Sequence, residues 1–127
     1  GSEHVLVVHA EDGLDEISIG SPTRVAELKD GGITVYTVTP GEFGLDRSDL
    51  SAIAVSDAGQ SLAVISEVLD NKPGPARDIV MMNAGAAIYA AGVADSLAAG
   101  IEQAGETLAN GSARETFASL IRVTNAF

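Results

Sequence analysis

The chain has 127 residues, enough for one domain with its own core, and no cysteine, which excludes disulfide scaffolds, thiolate metal sites and cysteine nucleophiles. Its formal net charge of −11 argues against a nucleic-acid backbone or an anionic membrane as partner, because both require a positive face. Aromatic residues make up only 4% and tryptophan is absent, so an aromatic platform for stacking bases or sugars is not expected.

Val5-Leu6-Val7-Val8 is a continuous apolar run, the pattern of a strand buried on both faces of a parallel or mixed sheet. A polar loop follows, Glu11-Asp12-Gly13-Leu14-Asp15-Glu16, and Ile17-Ser18-Ile19 then alternates like a short strand. Thr23–Leu28 and Ile33–Val38 read as two hairpin arms joined by Lys29-Asp30-Gly31-Gly32, the second with one wet face. Pro40–Asp49 reads as a loop, and Leu50–Val55 fits no single pattern.

Helical spacing begins with Leu62, Ile65, Val68 and Leu69, with Asp57 placed to cap the start. Asn71-Lys72-Pro73-Gly74 breaks this helix, and Pro75 suits the first turn of the next. Asp78–Ala91 is apolar on nearly every face, as a central buried helix would be. A third helix carries Leu97, Ile101 and Leu108, with Asp95 as its expected cap and Asn110-Gly111 as its stop. Ser112 and Glu115 have capping-box spacing for a last helix, whose expected buried stripe is Phe117, Leu120 and Ile121. The fold class is therefore α/β: a strand-rich first part with a β-hairpin, then about four helices. A two-faced strand needs neighbours on both sides, so the sheet reads as incomplete and the chain as part of something larger.

No basic start precedes the first apolar run, and the stretch around Met81–Val93 is broken by Asn83 and glycines, so neither a signal peptide nor a membrane span is read. A cytoplasmic location is expected.

The chemistry concentrates after the first strand. Glu11, Asp12, Asp15 and Glu16 lie at the strand's carboxyl end, where α/β sheets bind ligands. Crowded carboxylates repel one another and are relieved by a hard cation such as magnesium, which takes one or two of them plus water and phosphate oxygens. Asp15 and Glu16 converge only if the loop turns, which Gly13 permits. On composition alone a solvated Asp-Gly turn is the commoner outcome, and a metal site the sharper one. His4 and His9 fall at opposite ends of one strand and read as structural or surface residues. Lys72 and Arg77 flank a helix start, a geometry that binds phosphate, although an interhelical loop explains them more simply. Asn83, inside an apolar helix, needs a hydrogen-bond partner and reads as a tie from helix to loop. Signatures for phosphate-loop nucleotide hydrolysis, dinucleotide binding, serine hydrolysis and zinc proteolysis are absent.

Two segments resemble a known family. Val7-Val8-His9-Ala10-Glu11-Asp12-Gly13-Leu14-Asp15-Glu16-Ile17-Ser18 is similar to the Val-His-Gly-x-x-Gly-Leu-Asp-Glu segment of anthranilate phosphoribosyltransferases. Gly74-Pro75-Ala76-Arg77-Asp78-Ile79-Val80-Met81-Met82-Asn83-Ala84 is similar to their Gly-Pro-x-Arg-Asp…Asn-Ala helix. Order and spacing match as well, and the resemblance spans essentially all 127 residues. It implies that residues 1–127 are the carboxy-terminal part of an α/β catalytic domain of the nucleoside phosphorylase/phosphoribosyltransferase type. Ala10 departs from the family's glycine and would reduce backbone freedom there.

The resemblance implies a magnesium-dependent glycosyltransferase of tryptophan biosynthesis. It would pass phosphoribosyl from phosphoribosyl pyrophosphate to anthranilate, with Asp15 and Glu16 as metal ligands and no base, nucleophile or other cofactor-binding residue in this stretch. The family's Gly-Thr-Gly-Gly-Asp loop, its Lys-His-Gly-Asn segment and its amino-terminal helical domain with the homodimer interface have no counterpart here, so the chain is expected to be inactive alone. The alternatives are a pyrimidine nucleoside phosphorylase-like enzyme, against which the Asp-Glu loop speaks, a non-catalytic magnesium- or protein-binding module, and a structural domain with a solvated acidic turn.

Overall fold

Three strands and then four helices follow in chain order in the computed structural model, which describes residues 1–127. Strands β1 (His4–Ala10), β2 (Thr23–Lys29) and β3 (Gly32–Val38) form an antiparallel meander in the order β1-β2-β3. The β2–β3 turn is the expected one: Lys29 pairs with Gly32, and Asp30 and Gly31 between them take φ of 51° and 75°. Positive φ at both central residues matches the right-handed twist of the arms, hence Asp-Gly.

The Val5–Val8 run behaves differently from its reading. Its one partner is β2, antiparallel, and its other edge is free. Leu6 and Val8 pack against the core, but Val7 is 64% exposed. Strand alternation puts Val7 on the face that also carries Ile33 and Val35, exposed by 74% and 56%. Helices cover only the opposite face of the sheet, so an apolar run suited to two-sided burial is buried on one side.

Ile17-Ser18-Ile19 is buried throughout but is not a strand. Its backbone polar groups are met largely by side chains: Asn83 bonds both the N–H and the C=O of Ile17, and Thr23 Oγ1 accepts from Ser18 N (3.0 Å). The Ile19 carbonyl accepts from Ser48 N (3.1 Å). With these groups satisfied locally, no ladder is needed.

Two short 3-10 turns, Pro40–Phe43 and Leu50–Ala52, lead to α1 (Ala58–Leu69), α2 (Pro75–Ala90), α3 (Leu97–Ala109) and α4 (Ser112–Thr124). Asp57 caps α1 as expected, accepting from Gln60 N at 2.8 Å. The α3 cap is Ser96, which accepts from Ala99 N (3.1 Å), and not Asp95. The Ser112/Glu115 box does not form. Gly111, at φ 83°, is the α4 N-cap, and the Ser112 hydroxyl turns back to Asn110. Nor is the α4 stripe buried: Leu120 and Ile121 are 57% and 44% exposed. No helix is long and apolar enough to cross a membrane.

Helix α2 is central, as expected, burying Ile79, Met81, Met82, Gly85 and Tyr89 against the sheet and α3. Its contact with α3 depends on glycine. A Cβ added at Gly85 would lie 2.5 Å from Ile101 Cα, and one at Gly100 would strike the Gly85 carbonyl.

At the far end of the sheet from the acidic loop, β2 turns Glu27 inward, to 7% exposure. Tyr89 Oη donates to Glu27 Oε1 (2.6 Å), His4 Nε2 to the same oxygen (2.9 Å), and Tyr36 Oη to Oε2 (3.0 Å). Burial pushes the carboxyl up, but these three bonds outweigh it and hold Glu27 below its ordinary value. Burial, with the Glu27 contact, pushes the Tyr36 phenol up.

Two outcomes follow from this packing. Gly85→Ala forces backbone apart and should cost about 1–3 kcal/mol of unfolding free energy in urea titrations. Because folding depresses the Glu27 pKa, its contribution is complete above the ordinary glutamate range and is lost as pH falls through the folded value. Stability measured against pH should therefore decline in that acid range, and Glu27→Gln should flatten the decline.

Candidate metal-binding loop

The loop from β1 to β2 is shaped by its own backbone. Gly13 N donates to the Ala10 carbonyl (3.0 Å) and Ala10 N to the Leu14 carbonyl (3.1 Å), while Glu11 N reaches the Pro22 carbonyl (3.0 Å) and closes the base. Gly13 takes φ 94°, the left-handed region in which a side chain is strained. Ala10 is fully buried and is not among the residues at positive φ, so alanine costs this turn no backbone strain.

The four carboxylates divide by role. Asp12 is committed to the fold: its Oδ2 accepts from Ser18 Oγ (2.5 Å), its Oδ1 from Leu14 N (3.3 Å), and its own N–H donates to Ser21 Oγ (3.2 Å). The Ser18 hydroxyl is the largest influence and lowers the Asp12 pKa, against partial desolvation. Glu11, Asp15 and Glu16 are exposed, and none of them enters an ion pair within the chain. Asp15 and Glu16 thus offer hard oxygen donors with no internal cation competing for them, a donor set that suits magnesium. No three acidic or histidine side chains converge anywhere in the chain, so water and ligand oxygens would have to complete such a coordination sphere.

None of the other singled-out residues makes a hydrogen bond to the carboxylates of this pair. His4 is bound to Glu27, whereas His9, at the opposite end of β1, is exposed on the outer face. Lys72 donates to Glu67 (2.7 Å) and Arg77 to Asn71 (2.7 Å), so both cations hold the α1–α2 corner, the simpler of their two readings. Asn83 makes the expected tie from helix to loop. Glu16 also stands at the lip of an apolar cavity of about 570 Å³ among the four helices, whose other polar lining residues are Ser61 and Thr107.

Two networks escaped the sequence reading. Glu27 had a signal, because alternation places it on the same face as the buried Val25. The Asp12–Ser18 bond had none, since it depends on how the loop folds back.

Residues 1–114 match the family described as "Glycosyl transferase family, a/b domain", and the chain belongs to this family. Among curated relatives it is 61% identical over 124 residues to the anthranilate phosphoribosyltransferase of Thioalkalivibrio sulfidiphilus, covering 98% of this chain. It is 58% identical over 127 residues to the enzyme of that name from Methylococcus capsulatus. The chain spans 37% of the length of each. Among solved structures, the anthranilate phosphoribosyltransferase of Thermus thermophilus superposes with a TM-score of 0.81 at 37% identity, over 94% of this chain and 36% of that one. The Saccharomyces cerevisiae enzyme, solved in complex with PRPP and Mg, shares the fold at a TM-score of 0.84 and 23% identity, over 96% of this chain and 35% of its own.

Ser18→Ala should release Asp12. In an NMR pH titration of the carboxyl carbons, the Asp12 pKa should rise toward the ordinary aspartate value.

Proposed function

We propose that the chain is the carboxy-terminal, metal-holding part of the α/β domain of an anthranilate phosphoribosyltransferase, a homodimeric cytoplasmic enzyme. The observation that carries this reading is the loop itself. The Gly-Leu-Asp-Glu turn lies beyond the carboxyl end of β1, with Asp15 and Glu16 exposed and unpaired beside a neighbour, Asp12, that is tied down. A divalent cation bound there would supply charge neutralisation for a departing pyrophosphate. Asp15 and Glu16 are its ligands, and neither acts as base or nucleophile. The remainder of the enzyme supplies the phosphate loops and the anthranilate site, so the chain alone does not turn over.

The test is a chimera in which this chain replaces the matching stretch of the Thioalkalivibrio sulfidiphilus enzyme. Phosphoribosylanthranilate should form with magnesium and phosphoribosyl pyrophosphate. Asp15→Asn or Glu16→Gln should raise the magnesium concentration required by at least the roughly 10–100-fold that loss of a residue supporting a metal ligand costs. A folded chimera without product, an unmoved magnesium requirement in both variants, or robust turnover by the 127-residue chain alone would overturn the reading.

A further inference from the structure

We infer that Asn83 is a positioning residue for the Asp15–Glu16 pair: its side-chain amide fixes the peptide group next to Glu16, so the carboxylates are carried on a backbone set before any cation arrives. This rests on the proposed metal role of the pair.

The geometry is a two-pronged clamp. Asn83 Oδ1 accepts from Ile17 N at 2.8 Å, and Nδ2 donates to the Ile17 carbonyl at 2.9 Å. The second Nδ2 hydrogen goes to the Ile79 carbonyl, one turn back on α2, at 3.0 Å. The amide orientation is fixed by its partners, because a backbone N–H can only donate and a carbonyl only accept. Both donor hydrogens are used, and the side chain is tied at once to its own helix and to the loop.

What holds Asn83 is itself stiff. Ile17 is 1% exposed and belongs to the core cluster together with Met82, the neighbour of Asn83 on α2. Helix α2 sits against α3 at a glycine contact that leaves no room for a shift toward it. On the other side of the pair, the Asp12–Ser18 bond closes the loop. Asp15 and Glu16 therefore lie on a short segment anchored at both ends, while neither carboxylate takes part in the anchoring. Two like charges on adjacent residues would otherwise separate in a free loop, and a cation would have to order them as it bound.

The discriminating substitution is Asn83→Asp. It keeps size and the acceptor for Ile17 N, but sets an anionic oxygen against the Ile17 and Ile79 carbonyls. Tyr89→Phe, on the same helix, removes a bond to Glu27 and leaves the loop alone, so it controls for general loosening of α2. The probe is Mn2+ in place of magnesium, read by paramagnetic broadening of backbone amides in the 127-residue chain, with amide hydrogen exchange at Ile17 as a metal-free readout. Unaltered chain should show broadening centred on residues 14–17, abolished by Asp15→Asn with Glu16→Gln. Asn83→Asp should weaken Mn2+ affinity roughly 10–100-fold and speed Ile17 exchange, with Tyr89→Phe matching unaltered chain in both. Asn83→Ala gives the same comparison if the aspartate variant does not fold. Unchanged affinity and exchange in the Asn83 variants, or an equal loss in Tyr89→Phe, would overturn the positioning role alone. No broadening in unaltered chain would overturn the metal reading, and the positioning role with it.

Discussion

A carboxylate turned into the core obliges its surroundings to converge on it, and Glu27 has this effect on the whole domain. Its three donors come from three different elements, His4 on β1, Tyr36 on β3 and Tyr89 on α2. Without them the buried charge would be stranded, which costs more than a hydrogen bond itself is worth. The network thus ties the carboxy-terminal end of α2 to all three strands. Asn83, nearer the middle of the same helix, holds Ile17 through bonds of its own.

Local chemistry was legible in the sequence where local chemistry decides the structure. Asp-Gly at Asp30-Gly31 sets the hairpin, Asp57 caps α1, Pro75 starts α2, and all three appear as read. Errors arose where a second element supplied the answer. Ile17-Ser18-Ile19 alternates like a strand, but Asn83, remote in sequence, takes over its backbone bonds. Ser96 displaced Asp95 as a cap, a shift of one residue that composition does not decide. The apolar stripes of β1 and α4 are real, yet periodicity reports only which face is apolar, not whether anything in the same chain covers it. The position of the acidic loop beyond β1 was plain, whereas the sorting of its carboxylates into a committed Asp12 and an unpaired Asp15 and Glu16 required the fold.

That sorting separates two jobs that one loop must do. Asp12 spends its charge on holding shape through Ser18 and Leu14, while Asp15 and Glu16 keep theirs for solvent. Negative charge can be tolerated at this density because the residues that hold the turn are mostly uncharged: backbone groups, two serines and an amide.

The outer face of the sheet has a consequence for how copies of the chain behave together. A free β1 edge beside uncovered Val7, Ile33 and Val35 is a template on which strands of other molecules can add. What opposes this is mutual repulsion from the excess of acidic over basic residues, 18 against 7. Its reach is the Debye length, about 8 Å at physiological ionic strength, or under two strand spacings. Near the isoelectric point, about pH 4.3, that barrier vanishes. Acidification toward that point thus removes the repulsion that keeps these uncovered strand faces of separate molecules apart.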